Sequence, residues 1–303
     1  LVANMMQVRE LIVDILDGDR EVMIAPLPLY HIYAFTVSLV MSDMGHEMVL
    51  IPNPRDIPGF VKELSKHKFS SFAGLNTLFV ALCNNKEFNA LDFSHLKHTI
   101  SGGMALTEAA ASTWQNVTGC QIQEAYGLTE TSPAVSFNPY RDIRIGTIGK
   151  VVTGTQVKVI SEDGTDLGFD QEGELCVKGP QVMAGYWQRP EATAQVLDAD
   201  GWFKTGDVAI LAEDGFIRLV DRIKDMINVS GFNVYPNEID DIASQHSGIL
   251  ECAAVGIPNS VSGETVKLFV VKSDSNLTAD DVISHCREHL TAYKVPKEVE
   301  FRD

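Results

Sequence analysis

The sequence of 303 residues is poor in basic side chains. It contains 24 lysine and arginine residues against 41 aspartate and glutamate residues, a formal net charge of −17. Because a nucleic-acid-binding surface needs clustered positive charge, this balance argues against a nucleic-acid partner. It also weakens the case for sustained attachment to anionic lipid, and leaves open transient docking through a local basic patch.

Cysteine is also sparse, and the sequence has no Cys-x-x-Cys pair. The five cysteines are odd in number and far apart, at Cys83, Cys120, Cys176, Cys252 and Cys286. This pattern disfavours a disulfide or zinc framework and favours a reducing, cytoplasmic location, with a peripheral position at the inner membrane face left open. Leu1 to Met5 show no charged leader and no cleavage pattern, so no secretory signal is expected.

One long segment, from Val22 to Ser42, has no Asp, Glu, Lys or Arg and reaches the length of a transmembrane helix. Its first half contains Pro26, Pro28 and His31, which would interrupt such a helix. We therefore predict a buried strand over Val22–Ala25, broken by the prolines and followed by a buried helix from about His31. No internal repeat or low-complexity tract is present.

The overall composition, 45% hydrophobic and 21% charged, is that of an ordinary globular protein. Strands and helices alternate in the first third of the chain, which predicts a mostly parallel sheet covered by helices. In such sheets ligands sit beyond the carboxyl ends of the strands. The predicted loops Ser101–Met104 and Tyr126–Glu130 both follow strands and would open there. The predicted strands are Val22–Ala25, Met48–Ile51 and His98–Ser101, and the predicted helices are Ile57–Lys66, Thr77–Asn84 and Thr107–Thr118, with Thr107 as a cap.

Two changes of pattern divide the chain into three predicted parts. Residues 1–142 carry the strand–helix alternation, and residues 143–220 read as a β-rich subdomain of hairpins separated by Gly and Asp turns. Residues 221–303 read as a small α+β domain. The predicted elements after residue 142 are strands at Val157–Ile160, Glu174–Val177, Val208–Leu211, Phe216–Val220, Glu251–Gly256 and Val266–Lys272, and helices at Asn237–His246 and Thr278–Leu290.

The segment Tyr126-Gly127-Leu128-Thr129-Glu130 combines side chains that suit a nucleotide. Tyr126 offers a ring to stack on a base, and Gly127 lets the backbone approach. Thr129 can contact phosphate, and the Glu130 carboxylate can bind Mg²⁺. A loop entering a capped helix is the alternative interpretation of this segment taken alone.

Further motifs follow in a fixed order, and together they resemble the adenylate-forming superfamily of acyl-CoA synthetases. Within it, the whole chain resembles the bacterial long-chain fatty-acid–CoA ligases. The motifs are Ser101–Met104, Glu124–Glu130, Gly173–Gly179 with Gly185–Trp187, Gly201–Asp207, Val220–Asp225 and Ser230–Pro236.

The resemblance implies part of a layered α/β domain with a β-rich subdomain, followed by a small α+β C-terminal domain. It implies a ligase that converts a long-chain fatty acid and ATP to an acyl-adenylate and pyrophosphate, then transfers the acyl group to coenzyme A. Mg²⁺ is the implied cofactor, and ATP, coenzyme A and the fatty acid are the partners. A luciferase-like, aryl or medium-chain ligase, a peptide-synthetase adenylation domain, and a non-catalytic nucleotide-binding fragment stay open, as does a homodimer.

The resemblance assigns most of the nucleotide site to the first two motifs. Tyr126 is similar to the residue that stacks on adenine, and Thr129 to the one that contacts phosphate. Glu130 matches the metal ligand, and Thr129 and Glu130 are the implied catalytic residues. Asp207 and Arg222 match the pair that holds the ribose; a turn-capping Asp and a surface ion pair are the alternatives. The other implied nucleotide-binding residues are Gly102, Gly103, Glu124, Ala125 and Gly127.

The remaining assignments concern the acyl pocket, the coenzyme A channel and the hinge. Tyr30, His31 and Gly103 would line the acyl pocket, with His31 also a catalytic candidate; a core role for this histidine is equally open. Ser230, Gly231 and Phe232 would line the coenzyme A channel, and Lys224 would be a hinge near 221–225. The nearby Phe35, Phe72 and Phe79 are expected to pack in the core first, and some of them to line the acyl tunnel.

Two parts of the family's apparatus are missing from this sequence. The family has a phosphate loop ending in Pro-Lys-Gly before the position equivalent to Leu1, and a catalytic lysine beyond the segment Tyr293–Lys297. We therefore expect this stretch of sequence alone to form little acyl-adenylate.

Overall fold

The computed structural model describes residues 1–18 and 20–302, and these fall into two compact units. The first comprises Leu1–Thr205 and Ile210–Arg218, and the second comprises Gly206–Ala209 and Leu219–Asp303. The helices of the first unit are α1 (Val2–Ile12), α2 (Ile32–Asp43), α3 (Ile57–Leu64), α4 (Asn76–Cys83), α5 (Glu108–Thr118) and α6 (Pro190–Val196).

The first unit is built on a seven-stranded sheet in the order β2-β1-β3-β4-β5-β6-β7. Its strands are β1 (Val22–Ala25), β2 (Glu47–Leu50), β3 (Ser71–Gly74), β4 (His98–Ser101), β5 (Ile122–Gly127), β6 (Ala134–Phe137) and β7 (Lys150–Val151). The first five strands in this order run parallel, and β6 and β7 are antiparallel to their neighbours. The mostly parallel sheet expected from the sequence is confirmed.

A second sheet of four strands has the order β11-β10-β9-β8. Its strands are β8 (Gln156–Ile160), β9 (Glu172–Lys178), β10 (Phe203–Leu211) and β11 (Ile217–Arg222). The hairpin β8–β9 is antiparallel and pairs Lys158 with Cys176. The four strands predicted between residues 157 and 220 are present; β10 begins earlier than expected, at Phe203, and β11 begins at Ile217.

The segment from Val22 to Ser42 folds as strand β1, a turn through the two prolines and helix α2. His31 is the N-cap of α2, and its Nδ1 accepts the backbone N–H of Tyr33 at 3.2 Å. Within residues 1–18 and 20–302, no helix is both long and apolar enough to span a bilayer.

Aromatic side chains form the centre of the largest core of the first unit. Trp114 on α5 is fully buried, and its ring packs against Phe79 and Phe72 at centroid distances of 4.8 and 5.1 Å. The indole N–H donates to Thr99 Oγ1 at 3.2 Å, so no polar atom of the ring is left unpaired. The core role expected for Phe35 is wrong: its side chain is 42% exposed, because it projects from α2 beside the buried Ala34.

The second unit has its own core between two helices and a sheet. Its elements are β12 (Ile227–Val229), β13 (Phe232–Val234), α7 (Pro236–Ser244), β14 (Ile249–Asn259), β15 (Gly263–Lys272), α8 (Ala279–His289) and β16 (Glu298–Arg302). The long β14–β15 hairpin buries Val266, Leu268 and Val270 completely. Thr278 caps α8 through a capping box with Asp281.

Candidate active site

Tyr126 and Gly127 lie inside strand β5, where the sequence had predicted a loop running from Tyr126 to Glu130. The prediction was wrong because β5 continues past the parallel part of the sheet and pairs with the antiparallel strand β6. Tyr126 pairs with Ser136 in that register. The chain leaves the strand only at Leu128, and Thr129–Thr131 form a short 3-10 turn.

Gly127 lies where two stretches of backbone meet. A Cβ atom at this position would stand 2.0 Å from the Pro133 carbonyl oxygen, far inside van der Waals contact. Only glycine therefore permits this approach, which returns the chain from the turn to β6. The backbone that approaches Gly127 here is that of Pro133, and the nucleotide contact expected at this glycine stays a prediction.

Glu124 is buried in β5, and its side chain and its backbone carbonyl both accept hydrogen bonds from other residues. Its side-chain Oε1 accepts the N–H of Gly146 at 3.1 Å, and its carbonyl accepts the N–H of Asn138 at 2.9 Å. The next residue, Ala125, is half-buried, and its carbonyl lies 3.3 Å from where a Cβ on Gly102 would stand. Gly102 and Ala125 are thus neighbours, as expected for strand ends at one edge of a sheet.

The loop after β4 is open on one side. Gly102 is buried, whereas Gly103 is exposed, adopts φ +87° and would have no atom within 4 Å of an added Cβ. Ser101 precedes them at the strand end, and its buried hydroxyl has no hydrogen-bond partner within the described part of the chain. Open space at a strand end, as at Gly103, suits a ligand contact.

Glu130 is the carboxylate that the sequence proposed as the metal ligand. Its Oε1 accepts the hydroxyl of Tyr186 at 2.8 Å, and its carbonyl accepts the N–H of Met183 at 2.8 Å. Partial burial and then the bond to Glu130 raise the pKa of Tyr186, so the phenol stays protonated and donates.

No group of three or more metal-ligating side chains occurs among the residues placed by the structure. A lone carboxylate fits Mg²⁺ bound together with nucleotide phosphates, because this ion takes few protein ligands. It does not suit a structural zinc site. Thr129, beside Glu130, is exposed, and its carbonyl accepts the N–H of Ser132 at 3.3 Å.

Asp207 and Arg222 come together in the second unit, as the sequence predicted for the two motifs. Arg222 Nε lies 3.3 Å from Asp207 Oδ1; the Asp207 side chain is 7% exposed and the Arg222 side chain 55% exposed. An exposed guanidinium that holds a buried carboxylate can present both groups to the neighbouring hydroxyls of a ribose.

The sequence analysis missed Asp221, the residue before this arginine. Its Oδ1 accepts the N–H of Arg222 at 2.7 Å, and its Oδ2 accepts the N–H of Asn237 at 2.9 Å. Burial raises the pKa of Asp221 in spite of these two bonds. The signal available in the sequence was an acidic residue placed directly before the motif arginine.

The candidate acyl-pocket residues are not core residues. Tyr30 is 93% exposed, and His31 is an exposed helix cap, so the core role left open for this histidine is wrong. The turn through the two prolines places His31 before α2 rather than on its buried face. Tyr33 is the buried aromatic of this segment, and its hydroxyl donates to the Ile100 carbonyl at 3.2 Å.

Ser230 and Gly231 form the exposed turn between β12 and β13, and Phe232 follows at the start of β13. The ring of Phe232 is 56% exposed and stacks on Tyr293 with centroids 4.8 Å apart. Lys224 is exposed in a short 3-10 turn, Ile223–Asp225. The roles expected for these residues stay predictions.

Residues 1–187 match the AMP-binding enzyme family, and residues 238–303 match the AMP-binding enzyme C-terminal domain. The chain is 53% identical over 305 aligned residues to the long-chain-fatty-acid–CoA ligase of Salmonella typhimurium, covering 100% of this chain and 54% of the relative. The ligase of Bacillus subtilis is 38% identical, covering 95% and 52%. The chain therefore spans about half the length of the curated relatives it matches.

Two solved structures have a fold similar to that of this chain. ATP-bound MatB from Rhodopseudomonas palustris superposes with a TM-score of 0.88 at 30% identity, covering 99% of this chain and 60% of that one. The anthranilate CoA ligase AuaEII, in complex with anthranoyl-AMP, gives a TM-score of 0.90 at 26% identity, covering 99% and 59%. The layered α/β architecture with a small second domain is thus confirmed.

Proposed function

The chain belongs to the AMP-binding enzyme family, and from that membership we propose that the whole protein is a long-chain fatty-acid–CoA ligase. The observation that carries the proposal is the 53% identity to the Salmonella typhimurium ligase, which extends over the entire chain. ATP, coenzyme A and a fatty acid are the proposed substrates, and AMP and pyrophosphate the proposed by-products.

The proposed reaction has two displacements. An oxygen of the fatty-acid carboxylate attacks the α-phosphorus of ATP, the bond to the β-phosphate bridging oxygen breaks, and pyrophosphate leaves. The coenzyme A sulfur, having lost its proton, then attacks the acyl carbon, and the bond to the AMP oxygen breaks. The first displacement brings an anion to an anion, so groups that neutralise phosphate charge are the main catalytic requirement.

Residues of the first unit meet part of this requirement. We assign the Glu130 carboxylate to Mg²⁺, which when bound supplies positive charge to the phosphate oxygens. Thr129, exposed beside it, is assigned a hydrogen bond to phosphate, and Tyr126 the stacking contact with adenine. The support for these roles is the order of the motifs and the placement of all three at or just beyond the end of β5.

The second unit contributes other proposed contacts. The Asp207 carboxylate accepts hydrogen bonds from the ribose hydroxyls, and Arg222 fixes that carboxylate at 3.3 Å. Ser230, Gly231 and Phe232 contact coenzyme A, and Lys224 is the proposed hinge. A cytoplasmic location completes the proposal and rests on its fatty-acid and ATP substrates.

The test is AMP release by the full-length protein with Mg·ATP, coenzyme A and one acid at a time. Oleate or palmitate is expected to give coenzyme A-dependent turnover, and Glu130→Gln is expected to lower it by about a hundredfold, the scale of losing one electrostatic contact to the transition state. No turnover with any fatty acid would refute the proposal.

An aromatic acid ligase is the second candidate, because the chain is 33% identical to the feruloyl-CoA synthase of Amycolatopsis sp. over 95% of its length. Ferulate is therefore included among the acids. Turnover with ferulate that exceeds turnover with oleate would favour this candidate over the first.

A further inference from the structure

Two segments of the first unit meet at Glu130. Its carbonyl accepts the N–H of Met183 and its Oε1 accepts the hydroxyl of Tyr186, each at 2.8 Å. A third bond joins the same two segments, from Gln181 Nε2 to the Ala134 carbonyl at 3.2 Å. Glu130 is therefore fixed through both its backbone and its side chain by residues far away in the sequence.

Tyr186 is itself held in place. Its backbone N–H donates to Thr193 Oγ1 at 2.9 Å, and the Thr193 hydroxyl donates to the Arg189 carbonyl at 2.9 Å. The residue is 36% exposed, and its hydroxyl reaches the Glu130 carboxylate. A hydrogen-bond donor fixed in this way restricts the rotation of the glutamate side chain, which is otherwise free in several torsions.

We propose that Tyr186 is a positioning residue that orients the Glu130 carboxylate for a divalent metal ion. Its hydroxyl binds Oε1, and the other acceptor positions of the carboxylate are open to the metal. Carboxylates that ligate metals are commonly held by such hydrogen bonds from outside the ligand set, and losing one typically weakens metal affinity by about 10–100-fold. The inference rests on the proposed function, in which Glu130 is the metal ligand.

A purely architectural role for the bond makes a different prediction. The two segments are also joined by the hydrogen bonds that Met183 and Gln181 donate to backbone carbonyls, and these bonds persist when only the tyrosine hydroxyl is removed. If the hydroxyl serves the fold alone, its loss changes the unfolding temperature and leaves metal affinity unaltered. A positioning role shifts metal affinity and leaves turnover at saturating metal nearly intact.

The experiment compares wild-type and Tyr186→Phe full-length protein. Mn²⁺ is titrated in the presence of a non-hydrolysable ATP analogue, and binding is followed by water-proton relaxation, which needs no turnover. We expect Tyr186→Phe to weaken Mn²⁺ binding by about tenfold. The Mg²⁺ concentration for half-maximal AMP release should rise by a similar factor, with kcat at saturating Mg²⁺ within about twofold of wild type.

Two further variants make the comparison specific. Tyr140→Phe removes the hydroxyl of another exposed tyrosine of the same unit and should leave Mn²⁺ binding unchanged. In a Glu130→Gln background, adding Tyr186→Phe should produce no further loss of Mn²⁺ binding, because both changes act on one interaction.

Unchanged Mn²⁺ affinity in Tyr186→Phe would overturn the inference, and so would a loss that persists unchanged in the Glu130→Gln background. A fall in kcat at saturating Mg²⁺ without a change in metal affinity would also contradict it. Wild-type protein that binds Mn²⁺ and the analogue normally but activates no fatty acid would refute the proposed function while leaving the metal result standing.

Discussion

Asp240 on α7 should make the second unit less stable as the pH rises. Its Oδ1 accepts the N–H of Ala254 at 2.7 Å, which favours the ionised form, while the negative charges of Asp241 and Asp221 oppose it. Burial is the largest influence and raises the pKa of Asp240 to about 7. The carboxyl is therefore more easily protonated in the folded protein than in the unfolded chain.

The direction of the pH effect follows from this difference. In the unfolded chain an aspartate has a pKa of about 3.9, so below that value Asp240 is neutral in both states and costs nothing. Stability is lost as the pH rises from about 3.9 through the folded pKa of about 7. Three pKa units at about 1.4 kcal/mol each give a loss of about 4 kcal/mol as an upper bound, complete only above the folded pKa.

Asp240→Asn should remove this loss. The asparagine oxygen can still accept from Ala254, and the side chain resembles the protonated aspartate in shape and charge. We expect the second unit to gain about 2–4 kcal/mol at pH 8 and almost nothing at pH 4. Hydrogen exchange of the α7 and β14 amides is the suitable assay, because the three tryptophans, Trp114, Trp187 and Trp202, all lie in the first unit.

Glu251→Gln is the matched control, since it removes one negative charge from an exposed site on β14. Its effect on exchange should be small and nearly the same at both pH values. The reasoning fails if Asp240→Asn gives the same protection as wild type at pH 8, or if its gain is as large at pH 4 as at pH 8. Either outcome would mean that burial does not disfavour the Asp240 charge.

Three substitutions test the first unit. Trp114→Ala should cost about 3–5 kcal/mol of unfolding free energy, because it empties the aromatic core and leaves the Thr99 hydroxyl without its donor, whereas Trp187→Ala, at a side chain 87% exposed, should cost under about 0.5 kcal/mol. Urea unfolding followed by circular dichroism measures both. Gly127→Ala should abolish AMP binding measured by calorimetry, since the new methyl would overlap the Pro133 carbonyl; affinity equal to wild type would contradict the backbone geometry.

Local sequence patterns predicted the strands and helices whose own residues favour that structure. β1 and β4 have the predicted bounds: β1 is an apolar run that ends before Pro26, and β4 ends before the paired glycines Gly102 and Gly103. Helix α5 begins after Thr107, whose Oγ1 accepts the Ala110 N–H at 3.3 Å. By contrast β3, Ser71–Gly74, was not predicted: its small residues have weak strand propensity, and the strand forms because β1 and β4 pair on either side of it.

The candidate site likewise contains residues that sequence motifs predict and contacts that only the fold reveals. Asp207 and Arg222 could be predicted as a pair because both belong to motifs that have one function in the family. The bond from Tyr186 to Glu130 joins positions 56 residues apart and has no local pattern, so only the fold reveals it. The same holds for the contact of Asp221 with Asn237, where the sequence offers an acidic residue but no sign of its partner.

That contact also bears on the predicted hinge at Lys224. A hinge requires the residues on its two sides to move as separate bodies, yet Asp221 before Lys224 is bonded to Asn237 after it at 2.9 Å. A rotation at Lys224 must break this bond between a buried carboxylate and the first turn of α7, exposing a charge or leaving it unpaired. The hinge proposed at Lys224 therefore predicts that this bond is broken and formed again when the chain rotates there.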